Sequence, residues 1–296
     1  MKRATVAFAT CSAYRDLAKD DLRARAAFEA RNIEIAPLVW DEHPTDIDRF
    51  DAIVLRSCWD YHEKTPAFIE WLGELERHGV PLYNPPGIAR WNLDKRYLDE
   101  LADKGIRAPR TKWIDAGSTV SLGAVLERAG FSEAVVKPAI GMNGFDTWRV
   151  VPETAAENEE RFAELVRSRT VMVQEFLPKI LDEGELSLVF FGGRFSHAVR
   201  KRPSGGEFRI QEEYGGTRST IVPSESLVRE AERILGAVPS AEGAPPLLYA
   251  RVDGIVDGSA IVVMELELID PTLFLAYDDS AVHRFADAVA SAIGSH

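Results

Sequence analysis

Residues 251–271, RVDGIVDGSAIVVMELELIDP, place charged side chains inside two strand-like apolar runs that are joined by a glycine-containing turn. Side chains alternate between the two faces of a strand. Glu265 and Glu267 therefore share one face of the second strand, and Arg251 and Asp253 share one face of the first. A hairpin with this pattern constrains the fold, because its charged face must meet either solvent or a compensating group.

The loop between the two runs decides whether the four charged side chains meet. An odd number of loop residues puts both pairs on one side of the hairpin, and an even number puts them on opposite sides. A three-residue loop over residues 256–258, with Gly258 in the left-handed conformation of a bulge-type turn, is odd. This loop predicts one cation and three carboxylates on a single surface.

Three carboxylates on one surface need positive charge nearby. Two bare carboxylates about 6 Å apart repel by roughly 3 kcal/mol at an effective dielectric of about 20. Lysine or arginine can offset this repulsion, but Mg²⁺ fits better because it takes carboxylate oxygens and fills its remaining positions with water and phosphate. The alternative is a solvated acidic face on an edge hairpin. We favour Asp253, Glu265 and Glu267 as metal ligands.

Composition excludes several classes of partner. The 296 residues are enough for two or three small domains, and 46% hydrophobic with 28% charged residues is ordinary for a globular protein. A net charge of −12 without a basic stripe argues against nucleic acid. No apolar run approaches about 18 residues and the N-terminus turns polar too early for a signal peptide, so we expect a cytoplasmic protein without a membrane partner. Cys11 and Cys58 are expected to be buried free thiols.

The alternation of strand and helix patterns predicts how the chain is organised. Over residues 1–90 it indicates an open parallel α/β sheet, in which ligands gather beyond the carboxyl ends of the strands. A Pro/Gly-rich boundary and a helix over about 91–104 follow. The pattern of the remaining residues predicts two α+β units, and the first of these contains a hairpin over 134–151. The predicted domains are residues 1–90, 91–177 and 178–296.

Two lysines and two glycines indicate a phosphate site. Lys137 ends a buried strand and precedes a loop that contains Gly141 and Gly144, where glycine lets backbone approach a nucleotide closely. Lys95 lies near the start of the predicted helix, and for both lysines the alternative is a simple exposed side chain. The sequence contains neither a GxxxxGK[ST] motif nor a GxGxxG motif, which excludes a P-loop and the dinucleotide fingerprint.

Further candidates lie in the second half of the chain. The strand end VQEFL offers backbone groups that can read an adenine edge, as a hinge between two domains does. Glu185 can accept hydrogen bonds from ribose hydroxyls. The basic stretch from Arg200 to Arg209 stands out in an acidic protein and suggests a site for an anionic group, with a solvated face as the alternative. We expect His197 to be a packed strand residue.

Taken in order, these segments resemble the successive elements of the ATP-grasp superfamily over about residues 85–275. The segments are WNLDKRYL, VVKPAIGMNG, VQEFL, GELSLVFF, RKRP with GGEFRIQ, RVDG and MELELIDP. The ordered set is far more specific than any one segment. Within the superfamily, LRSCWDYHEKTPAFIEWL and NPPGIARWNLDKRYL are similar to glutathione-synthetase-like ligases, a group that includes the cyclo-ligase of D-cycloserine biosynthesis.

The resemblance implies a fold in which an N-terminal open parallel α/β domain precedes two α+β subdomains that clasp ATP. The implied cofactors are ATP and Mg²⁺. One departure is that many relatives carry Asn where Glu267 stands. The implied roles are phosphate binding by Lys95, Lys137, Gly141 and Gly144, adenine binding by Gln174, Glu175, Phe176 and Leu177, ribose binding by Glu185, metal ligation by Asp253, Glu265 and Glu267, and catalysis by Arg251, Arg209 and Lys201.

The implied reaction is ATP-dependent formation of an amide bond from a carboxylate and an amine through an acyl phosphate. The expected partner is a small amino-acid-like molecule, and the ligation can be intramolecular, as for O-ureido-D-serine in the cyclo-ligase. Arg56, Asp60 and Tyr61 are candidates for substrate recognition, with helix capping and aromatic packing as the alternative. Two other functions stay open, a regulatory ATP-binding module and a phosphotransferase. The oligomeric state is also open, a homodimer included.

Overall fold

The computed structural model describes residues 3–42, 46–240 and 243–294. Its first layer is a four-stranded parallel sheet in the order β2-β1-β3-β4. Buried apolar residues fill both faces of the sheet, which is what crossover helices require. The parallel α/β sheet predicted for residues 1–90 is therefore confirmed. Its elements are β1 (Ala4–Thr10), α1 (Lys19–Glu29), β2 (Ile33–Val39), β3 (Ala52–Ser57), α2 (Thr65–His78) and β4 (Leu82–Tyr83).

Two short helices connect this sheet to the rest of the chain. They are α3 (Pro86–Leu93) and α4 (Tyr97–Asp103), so the single helix predicted over 91–104 is wrong. The break occurs because Asp94 takes an extended conformation with φ −97° and ψ 121°. The backbone amide of Lys95 then donates to the Ala139 carbonyl at 3.1 Å. The break places Lys95 beside the loop that follows the predicted phosphate-binding strand.

The second sheet is antiparallel and has the order β5-β8-β6-β7. Its two helices pack their apolar faces on one side of it. The predicted hairpin over 134–151 is confirmed as the β6–β7 pair. The elements are β5 (Thr111–Ile114), α5 (Leu122–Ala129), β6 (Ala134–Pro138), β7 (Trp148–Val150), α6 (Glu159–Ser168) and β8 (Val171–Glu175).

The third sheet has five antiparallel strands in the order β11-β10-β9-β12-β13. β9 is buried along its whole length because it lies in the middle of the sheet. The elements are α7 (Lys179–Asp182), β9 (Glu185–Phe191), β10 (Arg194–Arg202), β11 (Thr217–Ile221), α8 (Glu225–Leu235), β12 (Tyr249–Asp257), β13 (Ala260–Glu267) and α9 (Ala281–Ile293). No helix in the described ranges combines the length and apolarity that crossing a membrane requires.

The β12–β13 hairpin differs from the predicted one in its turn. Asp257 pairs with Ala260, which leaves a two-residue loop and makes the predicted loop over 256–258 wrong. An even loop by itself would put the charged pairs on opposite faces. The register shifts by one residue between Asp253 and Gly254, so Met264 is the extra residue of a β-bulge. The bulge restores the alignment that the predicted loop was expected to give.

The C-terminal helix α9 packs back on the first layer. The Phe285 ring lies 6.0 Å from Phe8, 5.4 Å from Phe28 and 5.2 Å from Phe191, measured between ring centroids. One apolar core therefore joins the N-terminal sheet to the third sheet. The predicted boundaries at 90 and 177 stay a prediction, and the interval 178–296 shares its core with the first.

Candidate active site

One cleft collects nearly all of the predicted site residues. Its walls come from the second and third sheets, and Trp59 and Tyr61 reach it from the carboxyl end of β3. Arg56 and Asp60 are the two predicted residues outside its lining. The predicted residues that line the cleft are Tyr61, Lys95, Lys137, Gly141, Gly144, Gln174, Glu175, Phe176, Leu177, Glu185, Lys201, Arg209, Arg251, Asp253, Glu265 and Glu267.

Strand register sets the order of the polar groups across the third sheet. Ser187 of β9 lies opposite Asp253 of β12, and Asp253 lies opposite Glu265 of β13. Arg251 lies opposite Glu267. Residues two apart on a strand share a face, so these side chains project from the same surface of the sheet. The sequence prediction that the hairpin charges share one face agrees with this register.

The buried side chains form a chain of ion pairs with alternating sign. The Lys201 ammonium donates to Glu185 and, at 2.8 Å, to Asp253. The Arg251 guanidinium donates to both oxygens of Asp253 at 2.9–3.2 Å and also to Glu267. Opposite neighbours of this kind make burial of charge tolerable. This series of ion pairs contains three carboxylates, those of Glu185, Asp253 and Glu267, and two cations, so it has one negative charge in excess.

The hairpin carboxylates Asp253 and Glu267 differ in their pKa values. Burial acts to raise the pKa of Asp253, but Arg251 and Lys201 outweigh it and hold that pKa well below the ordinary range. Burial raises the pKa of Glu267 to about 7, with Arg251 acting against it and Glu265 adding to it. Glu267 is therefore the hairpin carboxylate whose negative charge is least compensated by its neighbours.

Lys95 connects the acidic wall to the glycine loop. Its ammonium lies 3.1 Å from the Glu265 carboxylate and donates to the Gly141 carbonyl at 2.6 Å. Lys137 lines the same cleft but makes no ion pair with any described residue. Burial lowers the pKa of Lys137, and the field of Glu265 acts against that effect. A cation without a fixed partner at the wall of a cleft suits an anionic ligand such as a phosphate.

The hairpin carboxylates do not form a complete metal site by themselves. Within the described part of the chain, no three acidic, histidine or cysteine side chains converge closely enough to hold a metal ion. Both oxygens of Asp253 already accept hydrogen bonds, from Ser187, Lys201 and Arg251. The prediction of a three-carboxylate site is therefore not met in this arrangement. Glu265 and Glu267 do supply the carboxylate oxygens that a hard cation prefers, and both line the cleft.

The VQEFL strand end lines the opposite side of the cleft. Gln174 is buried and donates to the Thr111 hydroxyl at 3.2 Å, which fixes its side chain. The Glu175 carboxylate pairs with Arg110, and this hydrogen bond lowers the pKa of Glu175. The Glu175 side chain is therefore not free to serve a ligand, and its backbone N–H donates to the Arg110 carbonyl at 2.8 Å. Phe176 adds an apolar ring to the lining.

Comparison with known proteins identifies the family. A family model for the N-terminal domain of D-cycloserine synthetase DcsG matches residues 6–84. The cycloserine biosynthesis protein DcsG of Streptomyces lavendulae is 32% identical over 267 residues, which cover 85% of this chain and 86% of that protein. The chain belongs to the DcsG family of ATP-grasp ligases.

Solved structures agree with this assignment. A crystal structure of D-cycloserine synthetase DcsG superimposes with a TM-score of 0.86 at 27% identity, covering 98% of this chain and all (100%) of that one. A D-alanine–D-alanine ligase from Bacillus anthracis, crystallised with ATP, gives a TM-score of 0.70 at 19% identity, covering 100% and 98% of the two chains. The ATP-grasp fold class is confirmed, and this DcsG-family protein is an ATP-dependent, amide-forming ligase.

Two loops of this DcsG-family ligase meet beside the cleft. Arg209, in the loop after β10, pairs with Glu207 and lies 3.5 Å from the Tyr214 ring centroid. Gly144, with φ +70°, approaches both side chains so closely that a Cβ would lie 3.3 Å from Tyr214 and 3.4 Å from Arg209. Of the other predicted basic residues, Lys201 lines the cleft, and Arg200 and Arg202 do not.

Two of the three residues predicted to recognise the substrate do not reach the cleft of the ligase. Arg56 is 1% exposed and pairs with Asp21 at 2.7 Å, so the prediction that it faces the cleft is wrong. A buried cation takes the nearest buried carboxylate, because neither is tolerated alone. Asp60 binds Lys64 at 2.8 Å and Trp40 at 2.7 Å instead. Tyr61 does line the cleft while its ring stacks on Phe68.

Several lining residues of the ligase were not predicted, among them Trp59, Arg218 and Asp270. Trp59 donates its indole N–H to the Asp270 carbonyl at 3.0 Å, Arg218 lies over the Phe274 ring, and Asp270 is 2% exposed. Asp270 stands in MELELIDP, where it follows the metal-ligand pattern by three residues and precedes a proline. A carboxylate at the end of an apolar run was a visible signal, but its isolation depends on tertiary packing. Burial raises the pKa of Asp270 to about 8.

Proposed function

We propose that this ligase activates the carboxylate of a small amino-acid-like substrate as an acyl phosphate, which an amine then attacks to form an amide-type bond. One observation carries the proposal: Lys137, which makes no ion pair with any described residue, lines one cleft together with the Glu265 and Glu267 carboxylates. Phosphate and a divalent cation are the complementary groups that an ATP-dependent reaction brings.

Different residues of the cleft bind the phosphates, the adenine and the ribose of the nucleotide. Lys137 and Lys95 bind phosphate oxygens, and Gly141 and Gly144 let the loop backbone approach them. The adenine lies against the strand end that contains Gln174, Glu175, Phe176 and Leu177. Glu185 accepts from ribose hydroxyls, for which its hydrogen bond with Lys201 must rearrange.

Glu265 and Glu267 would hold Mg²⁺ in this scheme. Asp253 would join them only by exchanging the hydrogen bonds that it accepts from Arg251 and Lys201. The bound metal supplies positive charge where negative charge develops on the transferred phosphoryl group. ATP and Mg²⁺ are therefore part of the proposal.

The protein's own cations assist the chemical steps. The substrate carboxylate and the γ-phosphate are both anionic, and lysine and arginine side chains lower the barrier by neutralising the charge that grows as they approach. Arg251 and Lys201 are positioned by buried carboxylates in the ligand-free protein, and Arg209 approaches from a loop. The amine attacks the acyl carbon and phosphate leaves, so no side-chain nucleophile is needed.

Cys11 and Cys58 are buried free thiols, as predicted, and support a cytoplasmic location.

O-ureido-D-serine is the substrate that we propose, since the DcsG relatives are named for cycloserine biosynthesis. Purified protein with ATP and Mg²⁺ should convert it to a cyclic amide, in which the oxygen-bound ureido nitrogen attacks the acyl carbon and displaces phosphate, with one phosphate released per product. Hydroxylamine should trap a hydroxamate from the same substrate. ATP binding without phosphate release would favour a regulatory module, and phosphorylation without hydroxamate would favour a phosphotransferase acting on an alcohol.

A further inference from the structure

Asp270 is a buried carboxylate at the wall of the cleft with an oxygen that nothing satisfies. Its side chain is 2% exposed and lines the same cleft as Lys137 and Glu267. Among the described residues, no group hydrogen-bonds to its Oδ2 atom. Leaving a buried acceptor unpaired is unfavourable, and leaving a buried charge unpaired is more so. We therefore expect a ligand to supply the hydrogen-bond partner of this carboxylate.

The nearest arginine is not that partner. Arg56 donates through Nε to Asp21 at 2.7 Å and through Nη1 to the Pro271 carbonyl at 3.1 Å. Its field does act on Asp270, but Asp21 and Glu267 act in the opposite sense. The Cys58 backbone N–H also donates to the Asp270 carboxylate, which leaves Oδ2 as the oxygen without a partner among the described residues, and the Asp270 carbonyl accepts from Trp59. A fixed carboxylate in this setting binds a cation.

The chemistry of the surroundings separates two kinds of cation. A divalent metal needs several oxygen ligands, whereas Asp270 offers one free oxygen, and the Mg²⁺ of the proposed function is assigned to Glu265 and Glu267. An ammonium group has three donors, of which the free oxygen of Asp270 can accept one, and Trp59, Tyr61 and Ile269 line the same cleft as apolar neighbours. We propose that Asp270 binds the ammonium group of the amino-acid-like substrate and thereby selects for it. This inference rests on the proposed function, since it names a recognition element of the same site.

A binding cycle tests the assignment without requiring turnover. The dissociation constants of O-ureido-D-serine and of its deaminated analogue are measured by calorimetry on the full chain, with a non-hydrolysable ATP analogue and Mg²⁺ present. The wild type should prefer the amine-bearing molecule by about 10- to 100-fold, as expected for a charged hydrogen bond. Asp270→Asn should remove that preference, and Asp278→Asn, which lies outside the cleft lining, should keep it. Affinity for the analogue itself should be the same in all three proteins.

Each outcome decides between the proposals. A preference that survives in Asp270→Asn, or a loss of Mg²⁺ affinity in that variant, would overturn the ammonium assignment. A wild-type protein that binds with the expected preference but forms no cyclic product would refute the proposed function alone. Failure of both molecules to bind the wild type would overturn both. In steady state, Asp270→Asn should raise KM by about the same factor with kcat nearly unchanged, because a uniform binding contact is lost.

Discussion

Replacing Asp270 by asparagine should stabilise the ligand-free ligase, and the gain should grow as the pH rises. Asparagine has nearly the same shape and carries no charge, so it removes the need to bury a carboxylate without a cation. Asp270 is fully buried, and its pKa is raised from 3.8 to about 8 because of burial, with Glu267 adding to the effect. The pKa shift gives both the sign and the size of the prediction.

The sign follows from which state holds the proton. Below about pH 4 the Asp270 carboxyl is protonated in both the folded and the unfolded chain, so asparagine changes little. Between about pH 4 and pH 8 the unfolded chain releases the proton while the folded protein keeps it, which favours unfolding. At roughly 1.36 kcal/mol per pKa unit the shift corresponds to at most about 6 kcal/mol. Because local relaxation reduces such penalties, we expect a measured gain of about 1–3 kcal/mol at pH 8.

Urea unfolding of the wild type and of Asp270→Asn at several pH values from 5 to 8 measures this gain. The free energy difference should be small at pH 5 and largest at pH 8. Asp278 provides a control with the opposite sign, because its ion pair with Arg284 outweighs burial and lowers its pKa. Asp278→Asn should therefore destabilise at neutral pH. A gain for Asp270→Asn that does not change with pH, or a loss of stability, would refute the reasoning.

Three further substitutions test the site and the hairpin. Glu265→Gln should lower turnover by about 100-fold or more while leaving the unfolding midpoint nearly unchanged, and normal turnover would contradict its proposed metal role. Gly254→Ala should destabilise by about 1–3 kcal/mol, because its Cβ would lie 2.4 Å from Ile261 and 2.7 Å from a backbone oxygen, and unchanged stability would contradict the tight hairpin register. Lys201→Met should cost about 3–5 kcal/mol in urea unfolding, because two buried carboxylates lose their shared cation. A neutral effect would mean that these acids are satisfied elsewhere.

The hairpin shows how a sequence pattern can predict an arrangement while missing how it forms. Alternation within each strand predicted which charges share a face, and that part depends only on local geometry. Their alignment across the hairpin depends on the sum of the loop length and any bulge. A two-residue loop with a bulge at Met264 has the same parity as a three-residue loop without one. Parity was therefore predictable from the function of the charges, whereas the position of the extra residue was not.

Arg56 and Asp270 show where prediction from sequence fails. Arg56 lies near the end of β3 and Asp270 follows β13, and the sequence pattern predicted a site role for Arg56 but not for Asp270. Asp21, which is far away in sequence, neutralises Arg56 in the core and removes it from the cleft. The same pairing leaves Asp270 without its nearest cation. Partner choice among buried charges is a tertiary property, and residues 21, 56 and 270 come together only in the folded chain.

This choice explains why the fold keeps an acid that weakens it. An Arg56 shared with Asp270 would satisfy the carboxylate internally, and a substrate ammonium would then have to displace a buried guanidinium. Because Arg56 is held by Asp21, the penalty of the unpaired Asp270 is present in the ligand-free protein and is relieved when a cation binds. Relief of this penalty therefore adds to the free energy of binding, and only a ligand that carries positive charge provides it. The stabilisation expected for Asp270→Asn and its loss of ammonium preference are two measurements of this one trade-off.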